Sequence, residues 1–110
     1  MFGTNLASMQ NTKFVLAGLA TKVEAAQLMV DKAVEELEAG RLTPVDAAKV
    51  KLFTSEVQAE VVDSCLQLHG GYGYVRDYPI AGMYADARVA RIYGGSSEVM
   101  KVIIAKSLGL

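Results

Sequence analysis

Apolar residues recur at intervals of three and four over the first third of this chain, and this period constrains the fold most strongly. Between Leu6 and Leu37 the spacing is that of one face of a long amphipathic α-helix. Gly40 ends the stretch, as glycine commonly does after a helix. The apolar seam consists of Leu16, Leu19, Val23, Ala26, Val30, Ala33 and Leu37.

A second long helix is predicted to begin directly after this glycine. Thr43 can cap it, Pro44 suits its first turn, and Asp46 favours the positive end of the helix dipole. His69 in the last turn and Gly70 beyond it mark the end. Its seam consists of Val50, Phe53, Val57, Val61, Cys65 and Leu68. The two long helices are expected to form an antiparallel hairpin.

Two shorter helices follow, from Pro79 to about Ala90 and from about Ser97 to Leu108, with Gly109 as the stop. No strand pattern competes with them, so the predicted fold class is all-α, an antiparallel helical bundle with two long and two shorter helices. The long helices would measure roughly 50 and 40 Å, whereas a small domain is about 30 Å across. We therefore expect much of their apolar surface to pack on other domains or subunits.

Charge and cysteine content exclude several classes of protein. Eleven basic residues balance twelve acidic ones, which does not favour nucleic acid or anionic lipid as a partner. The single cysteine, Cys65, rules out an internal disulfide and a cysteine-built zinc site, and its apolar helical setting favours a buried, inert thiol. No segment resembles a membrane span or an export signal. A cytosolic or organelle-matrix location is expected.

The first glycine-rich motif is QLHGGYGY, from Gln67 to Tyr74. It follows a helix rather than a strand and lacks a Gly-Lys-Ser/Thr ending, so it is neither a dinucleotide-binding fingerprint nor a P-loop. A glycine cap with a turn explains Gly70. The additional glycines, Gly71 and Gly73, leave open a backbone that lies against a flat ligand. His69 is expected to stabilise the negative end of its helix.

The second motif, IYGGSSE from Ile92 to Glu98, joins two glycines to a helix N-terminus. Free N–H groups and the helix dipole favour an anion or a carbonyl oxygen there, but a plain serine cap is the more common explanation of such a sequence. Five tyrosines in the second half of the chain suit an interface, a planar ligand or core packing. The residues alone indicate an α-helical, partner-dependent domain with two candidate ligand loops.

Read together, FGTNLASMQNTKFVLAGLA, QLHGGYGY and YPIAGMYADARVARIYGGSSEVMKVIIAKSLGL closely resemble the C-terminal helical domain of the acyl-CoA dehydrogenases over essentially the whole chain. The resemblance implies an FAD-containing, oligomeric enzyme with two further domains. It also implies that a glutamate removes the α-proton of an acyl-CoA while a β-hydride passes to the flavin, which gives the trans-2-enoyl-CoA. Electrons would leave to an electron-transfer flavoprotein.

The same resemblance assigns site residues. Contacts to the flavin of a neighbouring subunit are implied for Gln10, Gln67, Leu68, His69, Gly70 and Gly71. Further flavin contacts are implied for Ser96, Ser97 and Glu98, and a substrate contact for Gly95. No metal site is implied.

The chain departs from the family pattern at one position. Many members have a glutamate, the catalytic base, where this chain has Gly94. This resembles the long-chain and isovaleryl branch, whose base lies on an earlier helix. That helix and a flavin-binding arginine would precede Met1, so residues 1–110 are expected to be a truncated C-terminal domain that is inactive in isolation. One alternative is a stand-alone helical oligomerisation or interaction module without catalysis. Another is a sibling enzyme that uses the same scaffold with another acyl-CoA or in an oxygen-dependent reaction.

Overall fold

A computed structural model describes residues 9–70 and 79–110. Within these ranges the regular secondary structure is helical, and no strand is present. The helices are α1 (Gln10–Glu38), α2 (Pro44–His69), α3 (Pro79–Val89) and α4 (Ser97–Ser107). The predicted fold class, two long and two shorter helices, is confirmed. The first helix begins at Gln10 after the extended Met9, so the predicted beginning near Leu6 is four residues too early.

A short connection turns the chain between α1 and α2. Gly40 adopts φ +73°, and the N–H groups of Arg41 and Leu42 both donate to the carbonyl of Glu36, at 2.7 and 3.2 Å. The Thr43 hydroxyl then accepts from the N–H of Asp46 at 3.1 Å. The predicted glycine stop and threonine cap are both present, and local signals are sufficient to produce this turn.

Helix α2 is the centre of the domain. Within the described ranges it packs against α1, α3 and α4, whereas these three make no packing contacts with one another. An ion pair of 2.6 Å between Lys22 and Glu60 joins α1 to α2. In the antiparallel hairpin, this pairing brings the N-terminal end of α1 beside the C-terminal end of α2. Gln10 and Gln67 therefore lie at the same end of the hairpin.

The core of the isolated chain is small. Val62, Ile80 and Ala87 form a buried cluster, against which the half-buried Cys65 and Leu66 pack. The molecule measures 55 × 28 × 24 Å, too thin to enclose both faces of its long helices. Large apolar side chains remain exposed on α1: Phe14 (65%), Leu28 (63%) and Leu37 (64%). Such surface is characteristic of a face that packs on another protein unit. No helix in the described ranges combines the length and hydrophobicity that crossing a membrane requires.

Candidate functional site

The turn between α3 and α4 holds the second glycine motif. Gly94 and Gly95 adopt φ values of +66° and +99°, in the left-handed region that side chains other than glycine disfavour. A Cβ atom on Gly95 would also lie 2.6 Å from Cε of Met100. The backbone therefore favours glycine at both positions, and a side chain at the second would also displace the flexible end of Met100.

Lys51 of α2 binds the carbonyl oxygens of this turn. Its ammonium group donates to the carbonyl of Tyr93 at 2.6 Å and also to the carbonyl of Gly95. The same Nζ atom lies 5.9 Å from the centre of the Tyr93 ring. One side chain thus binds two of the carbonyl oxygens of the turn and fixes it to the central helix.

Sequence reasoning missed Lys51, although a weak signal was present. A lysine on a helix surface commonly has a carboxylate three or four positions away. Lys51 instead has alanine at positions 47 and 48, threonine at 54 and serine at 55. A solvated lysine gives the same pattern, so the sequence does not identify Tyr93 or Gly95 as its partners.

The N-terminus of α4 offers backbone donors beside the turn. The Ser96 hydroxyl accepts from the N–H of Val99 at 3.3 Å, which confirms the predicted serine cap. The N–H of Ser97 donates to the carbonyl of Arg91 at 3.1 Å. At this turn the backbone N–H groups of Gly94, Gly95, Ser96 and Glu98 have no acceptor within the described residues. The carbonyl side of the turn is occupied while its amide side is available.

Two buried polar atoms lie next to these donors. Oγ of Ser97 and Nε of Arg91 are shielded from solvent and lack a hydrogen-bond partner in the described structure. Such atoms are rare in folded proteins and call for a specific explanation. Both residues line an open pocket of about 400 Å³, together with Arg88, Lys101 and the carboxylate residues Glu56 and Glu98. Hydroxyl, guanidinium and backbone N–H groups together suit an oxygen-rich or anionic ligand.

The first glycine motif is found at the C-terminal end of α2. Gly70 caps the helix with φ +62°, and its N–H donates to the carbonyl of Gln67. His69 donates through Nδ1 to the carbonyl of Cys65 at 2.7 Å, so it stabilises the helix end as predicted. Gln67 is exposed and Leu68 is half-buried. Gly71, also predicted as a site residue, lies outside the described residues.

The predicted site residues form two separate groups. Gln10, exposed at the start of α1, lies at the same end of the hairpin as Gln67. The second group surrounds Lys51, sixteen residues earlier on α2 than Gln67, which corresponds to about 24 Å along the helix axis. These residues therefore do not converge on one site within one chain. Among the described residues, no group of three His, Cys, Asp or Glu side chains could hold a metal ion.

Comparison with known proteins identifies the family. Residues 1–109 match the family model described as "Acyl-CoA dehydrogenase, C-terminal domain". The chain is 42% identical over 107 residues to the mitochondrial long-chain specific acyl-CoA dehydrogenase of Rattus norvegicus, covering 97% of this chain and 25% of that protein. It is 40% identical over 107 residues to the 3-(aryl)acrylate reductase of Clostridium sporogenes, covering 97% and 28%.

The structural comparison agrees. The crystal structure of an acyl-CoA dehydrogenase from Geobacillus kaustophilus superimposes with a TM-score of 0.96 at 38% identity, covering 100% of this chain and 29% of that one. The chain thus spans between a quarter and three tenths of the length of these relatives. It belongs to the acyl-CoA dehydrogenase family and corresponds to the C-terminal helical domain of that family.

Proposed function

We propose that this chain is the C-terminal helical domain of an FAD-dependent acyl-CoA dehydrogenase, and that it supplies cofactor contacts, a substrate contact and oligomer packing. The observation that carries the proposal is the turn at Gly94 and Gly95. Its carbonyls are bound by Lys51, and its N–H groups have no acceptor in the described chain. An arrangement of this kind binds oxygen atoms of a ligand.

The donor set fits a flavin dinucleotide. The helix dipole and the N–H of Glu98 favour a negatively charged group at the start of α4, and the Ser97 hydroxyl offers a buried polar atom beside it. We assign Ser96, Ser97 and Glu98 to the cofactor and Gly95 to the acyl-CoA thioester. When bound, FAD would supply the acceptor for the hydride that leaves the β-carbon of the acyl group.

The separation of the two residue groups supports an oligomer. About 24 Å of helix separates Gln67 from Lys51. One cofactor site would therefore use the group near Lys51, whereas the group near Gln67, called the first group, would contribute to the site of a neighbouring subunit. The first group comprises Gln10, Gln67, Leu68, His69, Gly70 and Gly71. The exposed apolar side chains of α1, such as Phe14, give this assembly a surface on which to pack.

The proton acceptor is assigned outside these residues. Gly94 has no side chain, and the Lys51 side chain donates to two carbonyls as an ammonium group, which has no lone pair with which to accept a proton. The chain residues at the turn therefore bind and orient the thioester without abstracting the α-proton.

The test is to express the whole open reading frame that contains this chain and to purify the product. We expect a visible flavin absorption band and oxidation of an acyl-CoA with electron-transfer flavoprotein as acceptor. An acyl-CoA series of varied length and branching then defines the substrate. A stably folded oligomer that neither retains nor binds FAD would refute the proposal and support the alternative of a non-catalytic interaction module.

A second candidate is the same chemistry in the reductive direction. The observation that favours it is the 40% identity to the reductase of C. sporogenes, close to the identity with the long-chain dehydrogenase of rat. The two directions are separated by offering the purified protein an enoyl-CoA with a reduced electron donor.

Bacterial and mitochondrial relatives alike support a cytoplasmic or mitochondrial-matrix location.

A further inference from the structure

Lys51 has no carboxylate partner in the described structure. The ion pairs found there are Lys22 with Glu60 and Arg41 with Glu36. Lys51 is half-buried, and its ammonium is committed to the carbonyls of Tyr93 and Gly95. A lysine placed partly out of water and directed at backbone carbonyls loses solvation that only those hydrogen bonds replace. The position of Lys51 is therefore explained by its hydrogen bonds to the turn.

These hydrogen bonds restrict the backbone of the turn. With positive φ at both Gly94 and Gly95, this segment could adopt several backbone conformations, because glycine has wide conformational freedom. Lys51 contacts the carbonyls on either side of Gly94 and so restricts the peptide planes between them. Because the N–H of a trans peptide points opposite to its C=O, the N–H groups of Gly94 and Ser96 are directed away from the ammonium group.

We propose that Lys51 is a positioning residue for the cofactor and acyl-CoA sites that the proposed function assigns to Gly95, Ser96, Ser97 and Glu98. The inference rests on that proposed function and extends it to a residue on another helix. Lys51 does not touch the ligand; it orients the donors that do. Without its two hydrogen bonds the turn is less ordered, and ordering it on ligand binding then costs conformational entropy, which weakens binding.

The experiment compares three variants of the full-length, flavin-loaded protein. Lys51→Met keeps an unbranched side chain but removes the donors, and Lys51→Arg restores a charged donor of similar reach. Lys49→Met is the matched control, because Lys49 is exposed on the same helix and makes no hydrogen bond in the described structure. The dissociation constant of FAD is measured by fluorescence quenching on the flavin-stripped protein, and the unfolding midpoint in urea is measured alongside it.

We expect Lys51→Met to raise the FAD dissociation constant about tenfold, which is more than the accompanying decrease in the urea midpoint relative to Lys49→Met explains. Lys51→Arg should recover most of the affinity. In turnover assays kcat for an acyl-CoA should fall with Lys51→Met more than KM rises. Equal FAD dissociation constants for Lys51→Met and Lys49→Met, or no recovery by Lys51→Arg, would overturn the proposal.

Two further outcomes are decisive. Lys51→Met could lose as much free energy of unfolding, measured from the urea midpoint, as it loses in free energy of FAD binding. That result would show a purely structural role for Lys51 and overturn the proposal. A wild-type protein that binds no FAD would instead refute the proposed function itself, so the two failures are distinguishable. If Lys51→Met does not fold, Lys51→Gln retains a neutral donor and is compared with Lys49→Gln by the same criteria.

Discussion

Gly95 and Met100 are so close that a Cβ atom on the glycine would lie 2.6 Å from Cε of the methionine. The same glycine has φ +99°, a conformation in which an L-residue is strained. The backbone conformation therefore disfavours a side chain at this position, and a Cβ atom there would also displace the flexible end of Met100. This pair links the candidate site to the small core of the domain.

Replacing this glycine should be costly. We expect Gly95→Ala to lower the free energy of unfolding by about 2 kcal/mol, since the left-handed backbone alone costs about 1–2 kcal/mol and the Met100 side chain must also move. Urea denaturation measures the change. The matched control is Gly82→Ala, a helical position with no atom near the new Cβ, which should be stabilising by about 0.5–1 kcal/mol. Equal stability of the two variants would contradict the described turn.

Loss of the cap should reduce stability equally at the two capped helix ends but should weaken FAD binding at only one of them. Thr43→Ala removes the acceptor for the N–H of Asp46, and Ser96→Ala the acceptor for that of Val99. Each should lower the free energy of unfolding by about 1 kcal/mol. In the flavin-loaded protein, only Ser96→Ala should also weaken FAD binding, because Thr43 lies at the distant turn between α1 and α2. Isothermal titration of the flavin-stripped variants with FAD separates the two, and an equal loss of affinity in both would count against the assigned site.

The ion pair between Lys22 and Glu60 should contribute little to stability. Its N···O distance is 2.6 Å, but the two side chains are 50% and 45% exposed, so water and salt screen the attraction. A double-mutant cycle with Lys22→Ala and Glu60→Ala should give a coupling energy below about 1 kcal/mol that shrinks further in 1 M salt. A coupling above about 2 kcal/mol would mean that the pair is shielded from solvent, as it would be within an interface.

Sequence predicted the features that act over a few residues. The cap at Thr43, the first-turn Pro44 and the glycine stops at Gly40 and Gly70 all depend on neighbours within four positions, and the structure contains each of them. Helical periodicity likewise predicted the all-α fold. These signals are readable because the atoms that interact are fixed by the helix itself.

The contacts of Lys51 could not be predicted in the same way. Tyr93 and Gly95 lie 42 and 44 positions away, and only the packing of α4 on α2 brings them together. The predicted apolar seam shows the same limit: Leu19 is buried, whereas Leu37 on the same seam is 64% exposed. Periodicity indicates which face is apolar, but not which partner covers it.

The last prediction concerns the position where many relatives have their base. A Cβ on Gly94 would lie 3.6 Å from Nζ of Lys51, so a glutamate there would be drawn into an ion pair with that ammonium. The φ of +66° would add strain of about 1–2 kcal/mol, and the competition for Lys51 would loosen the turn. We therefore expect Gly94→Glu to reduce acyl-CoA turnover by the flavin-loaded protein. Gly94→Gln is the matched control, because it has the same shape and cannot accept the proton; the glutamine variant should be similarly impaired. If steady-state assays instead show faster turnover with glutamate and not with glutamine, the proton acceptor has been restored at this position, and its assignment outside these residues is wrong.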